Sequence, residues 1–125
     1  MALLPLLLVS AGCAAASRPD AEATVTRFYA AYHRHDGVGA CRLLGPKVRD
    51  DVARSAHSSC ARALLQERLP GAAPVRSAQV FGDQAQVRLR GDTAFVARLR
   101  GAWKVLAVGC TPQPQGPYQC LVESG

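Results

Sequence analysis

The chain lacks the signatures by which most enzyme classes announce themselves. No G-x-S-x-G, G-x-G-x-x-G or G-K-[ST] occurs, so a nucleophile elbow, a dinucleotide fingerprint and a P-loop are without support. No C-x-x-C pair is present to hold a metal or run thiol exchange. Neither a fixed-period repeat nor a low-complexity tract appears, which sets aside solenoids and disordered linkers. The one strongly apolar run, Leu3 to Val9, falls short of the about 20 residues that a membrane-spanning helix requires. Methionine occurs only at position 1, and lysine only at Lys47 and Lys104 among 15 basic residues. What remains is a chain of 125 residues, 49% hydrophobic, with a net charge of +6. That is enough apolar material for one domain and too short a chain for two.

The first residues read as an address. Ala2 to Ala16 carry no charge, and the apolar run leads into Ser10-Ala11-Gly12-Cys13, small residues ahead of a cysteine. This is the layout of a signal peptide over residues 1–12. Its end resembles a bacterial lipobox, although Ser10 stands where an aliphatic residue is usual. The resemblance implies that the Cys13 thiol receives a diacylglycerol and opens the mature chain. The expected location is therefore the outer face of the cytoplasmic membrane, with residues 13–19 as a short tether and 20–125 as a single domain.

Setting Cys13 aside leaves Cys41, Cys60, Cys110 and Cys120, an even number in a small exported chain. Four cysteines allow three pairings, and proximity favours Cys41 with Cys60 and Cys110 with Cys120. A zinc site from Cys41, His57 and Cys60 is the rival reading, and it wants a fourth ligand.

Hydrophobic spacing divides the domain in two. Arg18 to Asp36 reads as an amphipathic helix with Val25, Phe28, Tyr29 and Tyr32 on one face. A short helix is expected over Val38 to Leu44, and one or two more over residues 47–69. From there the period falls to two. Strands are expected over Val75 to Phe81, Gln84 to Arg90, Ala94 to Arg100, Ala102 to Cys110 and Tyr118 to Glu123, with turns at Gly82-Asp83, Gly91-Asp92 and Gly101. A three-residue loop, Gly91-Asp92-Thr93, collects Val87, Leu89, Phe95, Ala97 and Leu99 on one face and Arg88, Arg90, Arg98 and Arg100 on the other. Burial of the apolar set favours that loop over a two-residue one. Helices first and an antiparallel meander second make an α+β fold.

The order Val25-x-x-Phe28-Tyr29-x-x-Tyr32, Asp36, Gly91-Asp92-Thr93-x-Phe95 and Gly101-Ala102-Trp103-Lys104-Val105 resembles the nuclear-transport-factor-like superfamily. That superfamily includes the ketosteroid isomerases and polyketide cyclases. More narrowly the chain resembles small, uncharacterised actinobacterial lipoproteins of this kind. The resemblance implies N-terminal helices packed on a curved antiparallel sheet, a cone or cystatin-like roll. Enzymes, transport adaptors and ligand carriers all use such a fold, so function has to come from the site.

For catalysis the candidates are thin. Tyr29, Tyr32 and His33 are the polar groups of the first helix, and the apolar face of the sheet is expected to carry no carboxylate. His33 and His35, two apart on a helix, diverge and read as solvent-facing. The expectation is a non-catalytic binding domain without cofactor or metal. An apolar ligand would be lined by Phe28, Tyr32, Phe95, Leu99 and Trp103. The alternatives are an adaptor docking an envelope protein on the sheet's outer face, and an isomerase- or cyclase-like enzyme. The arginine stripe favours no nucleic acid, since aromatic residues do not interleave with it. An anchored domain would meet membrane headgroups instead.

Overall fold

Four helices precede five strands in the computed structural model, which describes residues 13–125, with side chains from residue 17 onward. The expected signal segment, residues 1–12, and the Cys13 thiol lie outside the described residues. Helix α1 spans Cys13–His33, starting ahead of the expected Arg18. Residues 13–19, expected as a tether, are therefore helical, in keeping with the high helix propensity of Ala14, Ala15 and Ala16. Buried Ala21, Thr24, Val25, Phe28 and Tyr29 recur at three- and four-residue spacing along one face of α1.

Helix α2, Gly37–Arg42, begins at Asp36, whose carboxylate accepts the Gly39 N–H at 2.9 Å. Helix α3, Pro46–Ala56, opens on proline, which loses nothing at a first-turn position. Helix α4, Cys60–Gln66, is capped by the Ser59 hydroxyl, which accepts the Arg62 N–H at 3.2 Å. A disulfide joins Cys41 of α2 to Cys60 of α4, so both cysteines of the zinc alternative are bound to each other. On α3, Asp51 accepts from Lys47 at 2.8 Å and from Ser124 at 2.9 Å, which holds its carboxyl below the usual range and ties the chain's last residues to the helix.

The strands are β1 (Ala72–Phe81), β2 (Gln84–Arg90), β3 (Asp92–Leu99), β4 (Ala102–Thr111) and β5 (Gln119–Glu123). They form one antiparallel meander in the order β1-β2-β3-β4-β5, and the α+β class stands. Cys110 and Cys120 pair across β4 and β5. The loop after α2 lends the sheet one further rung: Val105 donates to Leu43 at 2.7 Å and accepts from Gly45 at 2.9 Å. Phe28, Val25, Leu44, Leu64, Val87, Val96, Val105, Val108 and Val122 fill the space between sheet and helices.

The β2–β3 register departs from the expected one. Leu89 pairs with Asp92, Val87 with Ala94 and Gln86 with Phe95, so the turn is Arg90-Gly91. Asp92, Ala94 and Val96 face the core, while Phe95 faces outward beside Gln86. Gly91 sits at φ +79°, and a Cβ there would meet the Pro70 carbonyl at 2.7 Å, so no other residue fits the turn as it stands. The arginines are dispersed by the same shift. Arg88 points outward, and Arg90 and Arg100 flank turns at opposite ends of β3. Arg98 lies across from Trp103, with its guanidinium 5.4 Å from the ring centroid. Its Nε is 3.2 Å from the Asp83 carboxylate but off the line of a hydrogen bond.

Replacing Cys41 and Cys60 together by alanine is expected to lower the free energy of unfolding by about 2–4 kcal/mol, read from urea denaturation. Peptide mapping without reduction should recover Cys41 linked to Cys60. A Cys41–Cys110 peptide would refute the pairing.

Candidate functional site

The helix-facing side of the sheet does carry a carboxylate. Asp92, at the start of β3, is 6% exposed. Its Oδ1 accepts the Cys110 N–H at 2.8 Å, and its Oδ2 accepts the Gly109 N–H at 2.9 Å together with the Tyr29 hydroxyl. The two amides are free because β4 bulges. Val108 and Gly109 lie where β3 offers only Ala94, and Gly109 takes φ +70°. An isolated glycine inside a strand pattern signals such a bulge, and Gly109 was the clue that the sequence offered. Burial, followed by the bond to Asp92, raises the Tyr29 pKa far above its ordinary 10.0.

An aspartate beside a tyrosine inside a sheet invites a catalytic reading, and the surrounding bonds argue otherwise. The Tyr29 oxygen also accepts the Gly71 N–H at 3.2 Å. A Cβ at Gly71 would lie 2.2 Å from the Tyr29 ring, so this backbone is pressed flat against it. With three donors on the carboxylate and two bonds on the phenol, both groups are engaged inside the protein. The pair fastens α1 to β3, β4 and the entry of β1.

Tyr32 and His33 extend the same fastening. The Tyr32 hydroxyl donates to the Glu67 carbonyl and accepts the Leu69 N–H at 3.1 Å. His33 is exposed, yet its Nε2 lies 2.9 Å from the Gly71 carbonyl and its ring stacks on Tyr29 at 5.5 Å. The polar candidates of the first helix thus satisfy the backbone of residues 67–71, which joins α4 to β1.

The five residues expected to line an apolar cavity do not meet. Phe28 is fully buried in the core, and Trp103 is buried near α1 beside a cleft lined by Asp20 and Thr24. Tyr32 borders a separate cleft with His35 and Arg68. Phe95 and Leu99 belong to the outer face through their partners Gln86 and Ala102. The register shift at Asp92 is the physical reason, because it turned the large side chains of β3 outward.

That outer face holds a built feature of its own. Tyr118 packs edge-on against Phe95 with ring centroids 5.1 Å apart, and Gln86 donates to its hydroxyl at 3.5 Å. The Cys110–Cys120 disulfide closes the loop that carries Tyr118. Beside the aromatic pair lies a cleft of about 520 Å³ lined by Arg76, Arg88, Thr93, Thr111 and Tyr118. A smaller cleft of about 250 Å³ runs between α3, α4 and β5, past Val52, Glu67 and Leu121. Among the described residues no group of three or more His, Cys, Asp or Glu is placed to hold a metal, and no helix is long and apolar enough to cross a membrane.

Tyr29→Phe should cost about 1–3 kcal/mol, since it leaves a buried acceptor and the Gly71 donor short of a partner. Asp92→Ala, which strands two amides and a phenol, should cost about 3–5 kcal/mol. In the unfolded chain tyrosine titrates near 10.0, whereas folded Tyr29 keeps its proton to higher pH. The unfolded state therefore binds fewer protons as pH rises past that value, and stability falls. Urea melts across the alkaline range should show this loss, and Tyr29→Phe should flatten it. Compared with family models, with curated proteins and with solved structures, the chain matches none.

Proposed function

We propose that the chain is an exported, membrane-anchored domain of the nuclear-transport-factor-like kind that binds rather than catalyses. Its partner is an envelope protein docked on the outer face of the sheet. The observation that carries this reading is the contrast between the two faces of the sheet. On the helix side, Phe28, Leu44, Leu64, Val96 and Val105 are buried to 1% exposure or less. On the other side, Phe81 is 65% and Leu99 38% exposed, and Phe95 packs with Tyr118 on the same face. Exposed apolar side chains on a sheet face support an interaction surface there, and among the described residues Val38 on α2 and Leu121 on β5 are exposed as well. Helices followed by a single antiparallel meander support the family reading. The apolar-carrier reading draws less support, because the side chains it needs are split between core and outer face. An enzyme would need a group free to act on substrate, and Asp92 and Tyr29 are held within the protein.

Cys13→Ser is expected to move the protein from the membrane to the soluble fraction, and unchanged membrane retention would overturn the anchor. A photoreactive residue placed at Phe81 or Leu99 should give a discrete adduct with an envelope protein in intact cells. The same residue at Arg49, on exposed α3, should not. Equal adducts from both faces, or none from the sheet, would refute the docking face. Native mass spectrometry should find no apolar ligand, and an apolar mass lost on denaturation would restore the carrier.

A further inference from the structure

The cleft on the outer face has a chemistry that docking an apolar surface does not call for. Between the pairs Val75↔Leu89 and Ser77↔Arg88, β1 contains one extra residue, Arg76. A bulge of this kind re-aims the side chain it carries. Here it brings Arg76 to the same cleft as Arg88, which stands on the neighbouring strand. Among the described residues neither guanidinium is ion-paired, as holds for every arginine but Arg34, Arg54 and Arg98, so both are available to a ligand. The acidic residue bordering the cleft is Asp92, and its carboxylate is turned inward to Tyr29, Gly109 and Cys110. The remaining polar side chains at the cleft are the hydroxyls of Thr93, Thr111 and Tyr118.

We infer that this cleft binds a phosphate group. Two guanidinium forks and three hydroxyls offer more donors than the two oxygens of a carboxylate can accept. They suit a tetrahedral anion with three or four oxygens. The open cleft, about 520 Å³, leaves room for what the phosphate is attached to, in a small phosphorylated compound or a lipid headgroup. The site is prepared in advance. The β1 bulge sets the backbone position from which Arg76 reaches the cleft, and the Cys110–Cys120 disulfide closes the loop that carries Tyr118 next to Thr111. The inference does not depend on export or on a protein partner.

The test is titration of the chain carrying Cys13→Ser with inorganic phosphate and with glycerol 3-phosphate at low ionic strength, followed by amide NMR shifts. Saturable shifts are expected at Thr93, Thr111 and Tyr118. The double variant Arg76→Gln/Arg88→Gln should weaken binding about tenfold or more. A control of equal charge on the helix side, Arg49→Gln/Arg62→Gln, should stay within about twofold. Arg88→Lys, which keeps the charge and loses the fork, should still weaken binding severalfold. Co-sedimentation with phosphatidylglycerol vesicles, against pure phosphatidylcholine, separates the two sources. Arg76- and Arg88-dependent binding to vesicles alone assigns the site to a headgroup, and to the free compounds alone assigns it to a soluble ligand. Failure of every probe to saturate, or equal weakening by the control pair, would overturn the inference.

Discussion

A carboxylate held away from water must find its donors inside the protein, and Asp92 finds them on three elements at once. Tyr29 comes from α1, and the Gly109 and Cys110 amides come from a bulge in β4. The rotation of the first helix, the bulge and the β2–β3 register are therefore one problem with one solution. Through the Tyr29 oxygen the constraint reaches Gly71, and through the Gly71 carbonyl it returns to His33 on α1. The short loop of bonds joins the helical half of the chain to the sheet half at the point where the one passes into the other.

Most of the architecture was legible in the sequence, because it follows from periodicity and punctuation. The change from helical to alternating spacing falls at Leu69-Pro70-Gly71, and the sheet begins at Ala72. The cysteine pairs followed from proximity alone. The facing of β3 was not legible, for a physical reason. Counting apolar residues puts Phe95 and Leu99 inward, and the count is outweighed by one polar residue with three donors waiting for it. The inward side chains of β3, Ala94 and Val96, are small, and the space is taken up from the other side by Phe28. Asp92 looks like turn chemistry in the sequence, since its bonding partner Tyr29 lies 63 residues away. The supposed cavity set and the arginine stripe both rested on that one register and were dispersed with it.

The same register gives the outer face its character. Turning Phe95 outward supplies the ring against which Tyr118 packs edge-on, and Tyr118 in turn walls the cleft that Arg76 and Arg88 line. A structural requirement of the core thus sets the chemistry on the opposite side of the sheet, one strand thickness away. Asp92 itself borders that cleft, so substitutions that disturb it should be felt there both directly and through the facing of Phe95.

The connectivity of the two disulfides bears on how the molecule is made. Each bridge closes within its own half of the chain, over 19 residues in the helices and over 10 in the sheet. In the exported chain proposed above, with Cys13 acylated, Cys41, Cys60, Cys110 and Cys120 would meet an oxidising compartment in that order, and pairing neighbours in sequence gives the set seen here. No bridge waits for a distant segment. For such a chain, local connectivity lowers the demand for an isomerase to reshuffle bonds between the two halves.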